Sequence, residues 1–349
     1  MCKCYSTRKL THIASLVILI LIVGSTAACQ STLSTPVGEV PATQTVVPTR
    51  SSPTPIPVPT ETPNVTSTPE IVHFSGEQAY EYVLQQMDYG PRLPGSEAHA
   101  ATRAMIASEL EEAGWTFEER QTEYQGQTVI NLVGKSSAEL DPGKPWIVVG
   151  AHYDSRLEAT MDPDLDKIDS PVPGANDGAS GVGVLLELAH SLPDELPNNV
   201  WVVFFDAEDN GNINGWDWIM GSNAFVAGLE SQPDAAVIID MIGDADLNIY
   251  YEKNSDSRIL IQIWDQAAEL GYNSAFIPEY RFRMLDDHIP FLQVGIPAAD
   301  LIDFDYPYWH TTADTADKVS PESLEMVGDT LWHWLQTPLN LDAENGSGS

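Results

Sequence analysis

The stretch Trp146–Ser155, WIVVGAHYDS, decides how this chain is read. Trp146 to Ala151 is a short continuous apolar run, the pattern of a strand buried on both faces of a sheet. His152 and Asp154 follow it at once. Val200–Phe205 (VWVVFF) repeats the pattern and runs into Asp206, Glu208 and Asp209. Ala235–Ile239 does so a third time and ends on Asp240. Sites in open α/β sheets form at the carboxyl ends of strands. Acids and a histidine gathering at three such ends therefore outline a site.

Around these strands the spacing of apolar residues predicts helices over 77–87, 97–113, 178–192, 257–270, 287–294 and 321–335. Gly114 stops the second, and Pro321 sits near a favoured helix start. Trp115–Thr122 and Thr128–Val133 read as two further strands. Strands alternating with helices predict an α/β fold with a mainly parallel sheet covered on both faces. The chain holds no internal repeat.

The ends of the chain read differently. Lys3, Arg8 and Lys9, the apolar run Ile13–Val23 and the small residues before Cys29 make 1–29 a signal peptide of the lipoprotein type. A short transmembrane anchor is the competing reading. Cys29 becomes the lipid-bearing first residue, although Thr26 stands where an aliphatic residue is usual. Residues 30–70 are rich in Thr, Pro and Ser, a composition that buries no core and reads as a disordered tether. Residues 71–340 form one catalytic domain, and 341–349 a flexible tail. The expected location is the outer face of a bacterial cell membrane. The three cysteines, Cys2, Cys4 and Cys29, all precede the domain, which therefore has no disulfide. With 51 acidic against 16 basic residues the formal charge is −35, which excludes nucleic acid as a partner. A monomer is expected.

Six segments carry the candidate chemistry: GAHYDS (150–155), PGANDGASG (173–181), FFDAEDNG (204–211), IIDMIGD (238–244), DDHIPF (286–291) and YWHTTADT (308–315). They offer His152, Asp177, Glu208, Asp209, Asp240 and His310. Zinc takes histidine nitrogen and carboxylate oxygen, and a catalytic zinc keeps one position open. A carboxylate beside the ligands moves protons. Glu208 and Asp209 are adjacent and diverge in extended chain, so one can bind metal while the other faces substrate.

These motifs, in this order, resemble the zinc aminopeptidase family whose relatives include animal-type glutaminyl cyclases. The resemblance runs from Gly76 to Leu335. It implies a mixed, mainly parallel central sheet sandwiched by helices. It implies that Asp177, Asp209 and His310 bind zinc and that Glu208 is the general base. Asp209 replaces the usual glutamate and is one methylene shorter. The matches of His152 and Asp240 hold a second zinc in two-zinc aminopeptidases.

LDDHIPFLQVGIP (285–297) resembles the cyclases most closely. There the match of Asp287 lies near that of Asp240, and two carboxylates in contact share a proton. The resemblance implies one zinc, with Asp240 and Asp287 relaying protons. Trp309 and Tyr306 match pocket aromatics, and Trp216 or Trp218 supplies another wall. The substrate class is peptide or protein N-termini. Glutaminyl cyclase is the leading reading, a two-zinc aminopeptidase the second, and a non-catalytic binding module of the same fold the third.

Other residues take quieter roles. Asp154 is expected to orient His152. His288 is expected to pack or hydrogen-bond, and His73, His99, His190 and His333 to be peripheral. Trp201, Trp264, Trp332 and Trp334 belong to the core, and Asp314 and Asp317 cap the chain after His310. Asp300 stands where the animal cyclases have a histidine of the proton network. Arg156–Pro173 is an acidic insertion, read as a solvated lid; Asp162, Asp164 and Asp166 resemble the start of a calcium loop that no glutamate closes.

Overall fold

The computed structural model describes residues 72–342. The signal at 1–29, Cys29, the tether at 30–70 and most of the tail lie outside the described residues. In chain order the elements are α1 (Gly76–Tyr89), α2 (Glu97–Glu112), β1 (Thr116–Tyr124), β2 (Gln127–Lys135), β3 (Trp146–His152), α3 (Ala179–Ser191), β4 (Asn199–Phe205), α4 (Met220–Ala227), β5 (Ala235–Asp240), β6 (Ile249–Tyr251), α5 (Ser257–Leu270), β7 (Phe276–Tyr280), α6 (Ile289–Gln293), β8 (Ala298–Ile302) and α7 (Pro321–Leu335). No helix among the described residues is long and apolar enough to cross a membrane.

One six-stranded sheet runs in the order β1-β2-β4-β3-β5-β8. β4, β3, β5 and β8 are parallel neighbours; β1 and β2 form an antiparallel hairpin that joins antiparallel to β4. β6 and β7 make a separate two-stranded pair. The three apolar runs are the central strands, and they alternate as a pleat demands. Ile147, Val149, Val200, Val202, Phe204, Val237 and Ile239 face the layer of α1, α2, α3, α5 and α7. Val148, Trp201, Val203, Phe205, Ala236 and Ile238 face α4 and α6 on the other side. With both faces covered, the polar ends of β3, β4 and β5 are the only parts of these strands free to do chemistry.

Local signals agree with the layers. Ser75 and Ser96 cap α1 and α2 by accepting from Gln78 N and His99 N. Asp256 caps α5, which ends on Gly271 at φ +89°. Ser320 caps α7 ahead of Pro321. The helix expected over 287–294 is shorter, since the chain before Ile289 turns to present Asp286 and Asp287 inward. The sequence reading missed α4, β6, β7 and β8.

α3 lies against α1 at Gly183, where a Cβ would run into the Ala79 carbonyl and Val83. Gly183→Ala is therefore expected to lower stability by about 1–3 kcal/mol in urea unfolding; an unchanged midpoint would show that this approach is not tight. Burial lifts the carboxyl of Glu187, with Glu325 adding, and that of Asp303, with Asp244 and Asp305 adding, each to about 7. Such groups hold protons when folded that they lose when unfolded, so they favour the native state most at low pH. Metal-free protein should melt at a lower temperature at pH 8 than at pH 5, by calorimetry. A melting point that rises across that window would contradict this.

Candidate metal centre and active site

Three loops bring the expected donors together. Asp177 ends the loop before α3, ahead of a cis peptide to Gly178. Two side chains hold that loop by its main chain. Asp314 accepts from Asn176 N (2.9 Å) and Asp177 N (3.2 Å), and the buried Arg92 guanidinium donates to the carbonyls of Tyr153 (2.9 Å), Pro173 (2.9 Å) and Gly174 (2.6 Å). Glu208 and Asp209 follow β4. Their N–H groups, at 3.0 and 3.4 Å, and Asn210 Nδ2, at 2.9 Å, converge on the Asp154 carboxylate, which also lies 3.5 Å from His152 Nδ1. Asp154 thus fixes the loop after β4 and faces His152. His310 comes from the loop beyond β8. Ala207, Met241 and His310 all take left-handed backbone, with φ of +53°, +48° and +55°. Non-glycine residues adopt it at a cost of about 1–2 kcal/mol, and such strain clusters at functional sites.

Donor atoms of Asp177, Asp209 and His310 lie within 4.8 Å of one another, and so do those of His152, Asp177 and Asp240. Asp177 belongs to both groups. His310 Nε2 is 2.7 Å from Asp209 Oδ1 and 3.8 Å from Asp177 Oδ2. His152 Nε2 is 3.1 Å from Asp177 Oδ1 and 3.2 Å from Asp240 Oδ1. Asp177 Oδ2 and Asp209 Oδ2 are buried without a hydrogen-bond partner. Buried carboxylate oxygens left bare are costly unless something charged meets them. Two carboxylates and an imidazole fit zinc's ligand chemistry.

The electrostatics follow from crowding. Burial pushes the Glu208 carboxyl well above the usual range; Asp209, Asp286 and Asp287 push it further, while His152 opposes. Burial and Asp177 raise Asp209, and burial with Asp286 lifts Asp240 to about 7 against the pull of His152. Asp177 is the exception. Burial raises it, but His152, His310 and Arg92 outweigh that and leave it below the usual range. Burial alone would lower His152, yet Asp154, Asp177 and Asp240 hold it well above its ordinary value.

Several sequence expectations are corrected. Asp286, not Asp287, is the carboxylate acting most strongly on Asp240. Asp287 meets Asp286 and Ser222 of α4 instead. The two are adjacent, and the turn before α6 sends them different ways. Tyr306 is buried and donates its hydroxyl to Asp314 at 2.7 Å, so it braces the Asp177 loop rather than lining a pocket. Trp216 packs on Val129, Ala207 and Met220. Trp218 is the aromatic beside the donors, its ring parallel to His310 within 7° at 6.1 Å, while Trp309 stacks on His310 at 3.8 Å. His99 is not peripheral but buried against Asp206 at 2.8 Å. His288 is buried between Glu252 (3.3 Å) and Asp300 (3.6 Å). The 156–173 stretch is tied down at several points instead of lying loose. Asp162 and Asp164 are occupied by hydrogen bonds from Asp164 N, Asp166 N and Thr312, as turn-capping acids are. The sequence reading gives Arg92 and Arg156 no role, and it passes over Asp286 for its neighbour although the acid pair before a helix was the available signal.

The profile of Peptidase family M28 matches residues 129–335, more than half of the chain. The glutaminyl-peptide cyclotransferase of Boiga irregularis is 27% identical over 299 residues, covering 72% of this chain and 78% of that protein. Among solved structures, the glutaminyl cyclase of Tannerella forsythia superposes with a TM-score of 0.71 at 31% identity, covering 76% of this chain and all (100%) of that one. A leucine aminopeptidase precursor from Bacteroides thetaiotaomicron superposes with a TM-score of 0.72 at 28% identity, covering 77% and 99%. With the acids and histidines gathered at the strand ends and the profile spanning β2 to α7, this chain belongs to peptidase family M28.

Proposed function

We propose that the chain is a zinc-dependent glutaminyl-peptide cyclotransferase, which converts the N-terminal glutamine of peptides or proteins to pyroglutamate and releases ammonia. The observation that carries this reading is the likeness, in sequence and in fold, to glutaminyl cyclases, joined to the convergence of Asp177, Asp209 and His310. Burial and the charge of Asp286 raise the Asp240 carboxyl to about 7, which suits an acid that holds a proton. Asp177, Asp209 and His310 would hold one ion. When bound, zinc supplies a Lewis acid that polarises the side-chain amide of the substrate.

The chain's own groups do the rest. Glu208 accepts a proton from the α-amine as its nitrogen attacks the side-chain amide carbon. The new C–N bond closes the ring. Glu208 then returns the proton to the departing nitrogen, which leaves as ammonia. A buried carboxyl with raised proton affinity suits both halves of this exchange. The charge of Asp286 acts on both Glu208 and Asp240, and the buried pair Asp240 and Asp286 would hold protons near the developing charge. Trp309 and Trp218, both stacked near His310, would wall the glutamine side chain. The reaction is intramolecular, so positioning supplies much of the acceleration.

The second reading is a two-zinc aminopeptidase, favoured by the convergence of His152, Asp177 and Asp240. A peptide beginning with Gln and an amino acid anilide separate the two. The cyclase releases ammonia from the first and leaves the second intact; anilide cleavage without ammonia would overturn the proposal. Glu208→Gln is expected to lower kcat by about 100-fold or more with zinc content unchanged. Wild-type turnover in this variant would remove Glu208 from the mechanism.

The basic, apolar and small-residue series before Cys29 supports export and lipid anchoring on the outer face of a bacterial membrane. Radiolabelled palmitate should enter the wild-type protein and not Cys29→Ala; equal labelling would contradict the anchor.

A further inference from the structure

The three donors Asp177, Asp209 and His310 sit on three loops, and no single helix or strand carries two of them. The 156–173 stretch touches Asp209 and His310 and leads into the loop that carries Asp177. Arg156, which opens it, is buried at 5% exposure. Its Nη1 donates to the main-chain carbonyl of Asp209 at 2.5 Å and lies 3.8 Å from the Asp209 carboxylate. Its Nε reaches Thr160 Oγ1 at 3.2 Å. Its guanidinium lies over Trp218 at 4.8 Å, and Trp218 in turn faces His310. Next along, Leu157 N donates to Asn210 Oδ1 at 2.8 Å. Met161 N donates to the His310 carbonyl at 3.1 Å, and Thr312 N and Oγ1 donate to Asp162 at 2.9 and 2.6 Å. Val172 N closes the loop onto the Arg156 carbonyl at 3.0 Å, and the chain passes directly to Asp177.

The contact with Asp209 has a specific physical consequence. An aspartate places its carboxylate one methylene nearer its own backbone than a glutamate does. Whether its oxygen reaches an ion is then decided by where the main chain sits. Asp209 Oδ1 is at His310, and Oδ2 is buried and bare. Behind that carboxylate, one cation grips the Asp209 carbonyl and stacks on Trp218. A planar guanidinium can do both at once, where an ammonium cannot. Groups that fix a ligand from behind typically alter metal affinity by about 10–100-fold.

We propose that Arg156 is a positioning residue for the metal centre: it sets the main chain of Asp209 so that a short side chain reaches the ion, and so makes metal retention depend on the 156–173 loop. This rests on the reading of Asp177, Asp209 and His310 as zinc ligands.

The test is the zinc dissociation constant of the full chain, measured by competition with a chromogenic chelator. Arg156→Met keeps the aliphatic stem and loses the donors; it is expected to weaken zinc about tenfold or more, beyond what the lowered melting point of the metal-free variant accounts for. Arg156→Lys keeps the charge but not the stacked fork, and should fall between the two. Asp209→Glu is expected to weaken zinc in the wild-type background, where the main chain is fixed for the shorter residue. In the Arg156→Met background it should recover part of the loss, because the loosened main chain can move back. A merely structural Arg156 predicts additive losses. Zinc held equally by wild type, R156M and R156K would overturn the proposal, and so would strict additivity in the double variant. A wild-type chain that retains no zinc would instead overturn the metal-centre reading, and the proposal with it.

Discussion

Too many carboxylates share too small a volume at the carboxyl edge of this sheet, and that constraint shapes the rest. Asp154, Asp177, Glu208, Asp209, Asp240, Asp286, Asp287 and Asp300 are all buried there. The groups set against them are the imidazoles of His152, His288 and His310 and the guanidinium groups of Arg92 and Arg156. Buried acids so placed cannot all ionise. Part of the excess is met by protons, as the raised carboxyls of Glu208, Asp240, Asp286, Asp287 and Asp300 indicate. Asp177 and Asp209 also leave bare buried oxygens beside His310, where a divalent cation would meet them.

The same crowding explains how the loops are held. Side chains that would otherwise add to the repulsion are spent on main-chain N–H groups: Asp154 on the residues after β4, Asp314 on those before α3. The cations are spent on carbonyls, Arg92 at 173–174 and Arg156 at Asp209. Rigid strands end just before Ala207 and Met241, and these two together with His310, in the loop beyond β8, take left-handed backbone where the functional side chains gather. The core underneath is ordinary by comparison: two apolar layers on a pleated sheet. Its stability is what lets the edge carry strain and repulsion.

The central strands were legible in the sequence because burial on both faces leaves an unbroken apolar run. β8 was not, because Asp300 interrupts AADLI with a buried acid. α4 was not, because MGSNAFVA has weak helix propensity and owes its shape to packing against the sheet. β6 and β7 are too short and too isolated to leave a pattern. At the site, motif order pointed to Asp177, Glu208, Asp209 and His310, each now at the same edge. Near neighbours are not told apart: the sequence points to Asp287 where Asp286 acts on Asp240, and it leaves Trp216 and Trp218 as alternatives. A one- or two-residue difference in facing is set by tertiary turns, not by composition. Arg92, Arg156 and Asp314 were invisible as supports because they act on backbone atoms, which any sequence offers everywhere.

The central claim is that one ion sits among Asp177, Asp209 and His310. Crystals of the zinc-loaded protein, with anomalous diffraction recorded on both sides of the zinc edge, test it most directly. The account predicts a single strong peak bounded by those three side chains, with Glu208 alongside and none between His152 and Asp240. A second peak of equal strength at His152 and Asp240, or no peak at the first position, would contradict it.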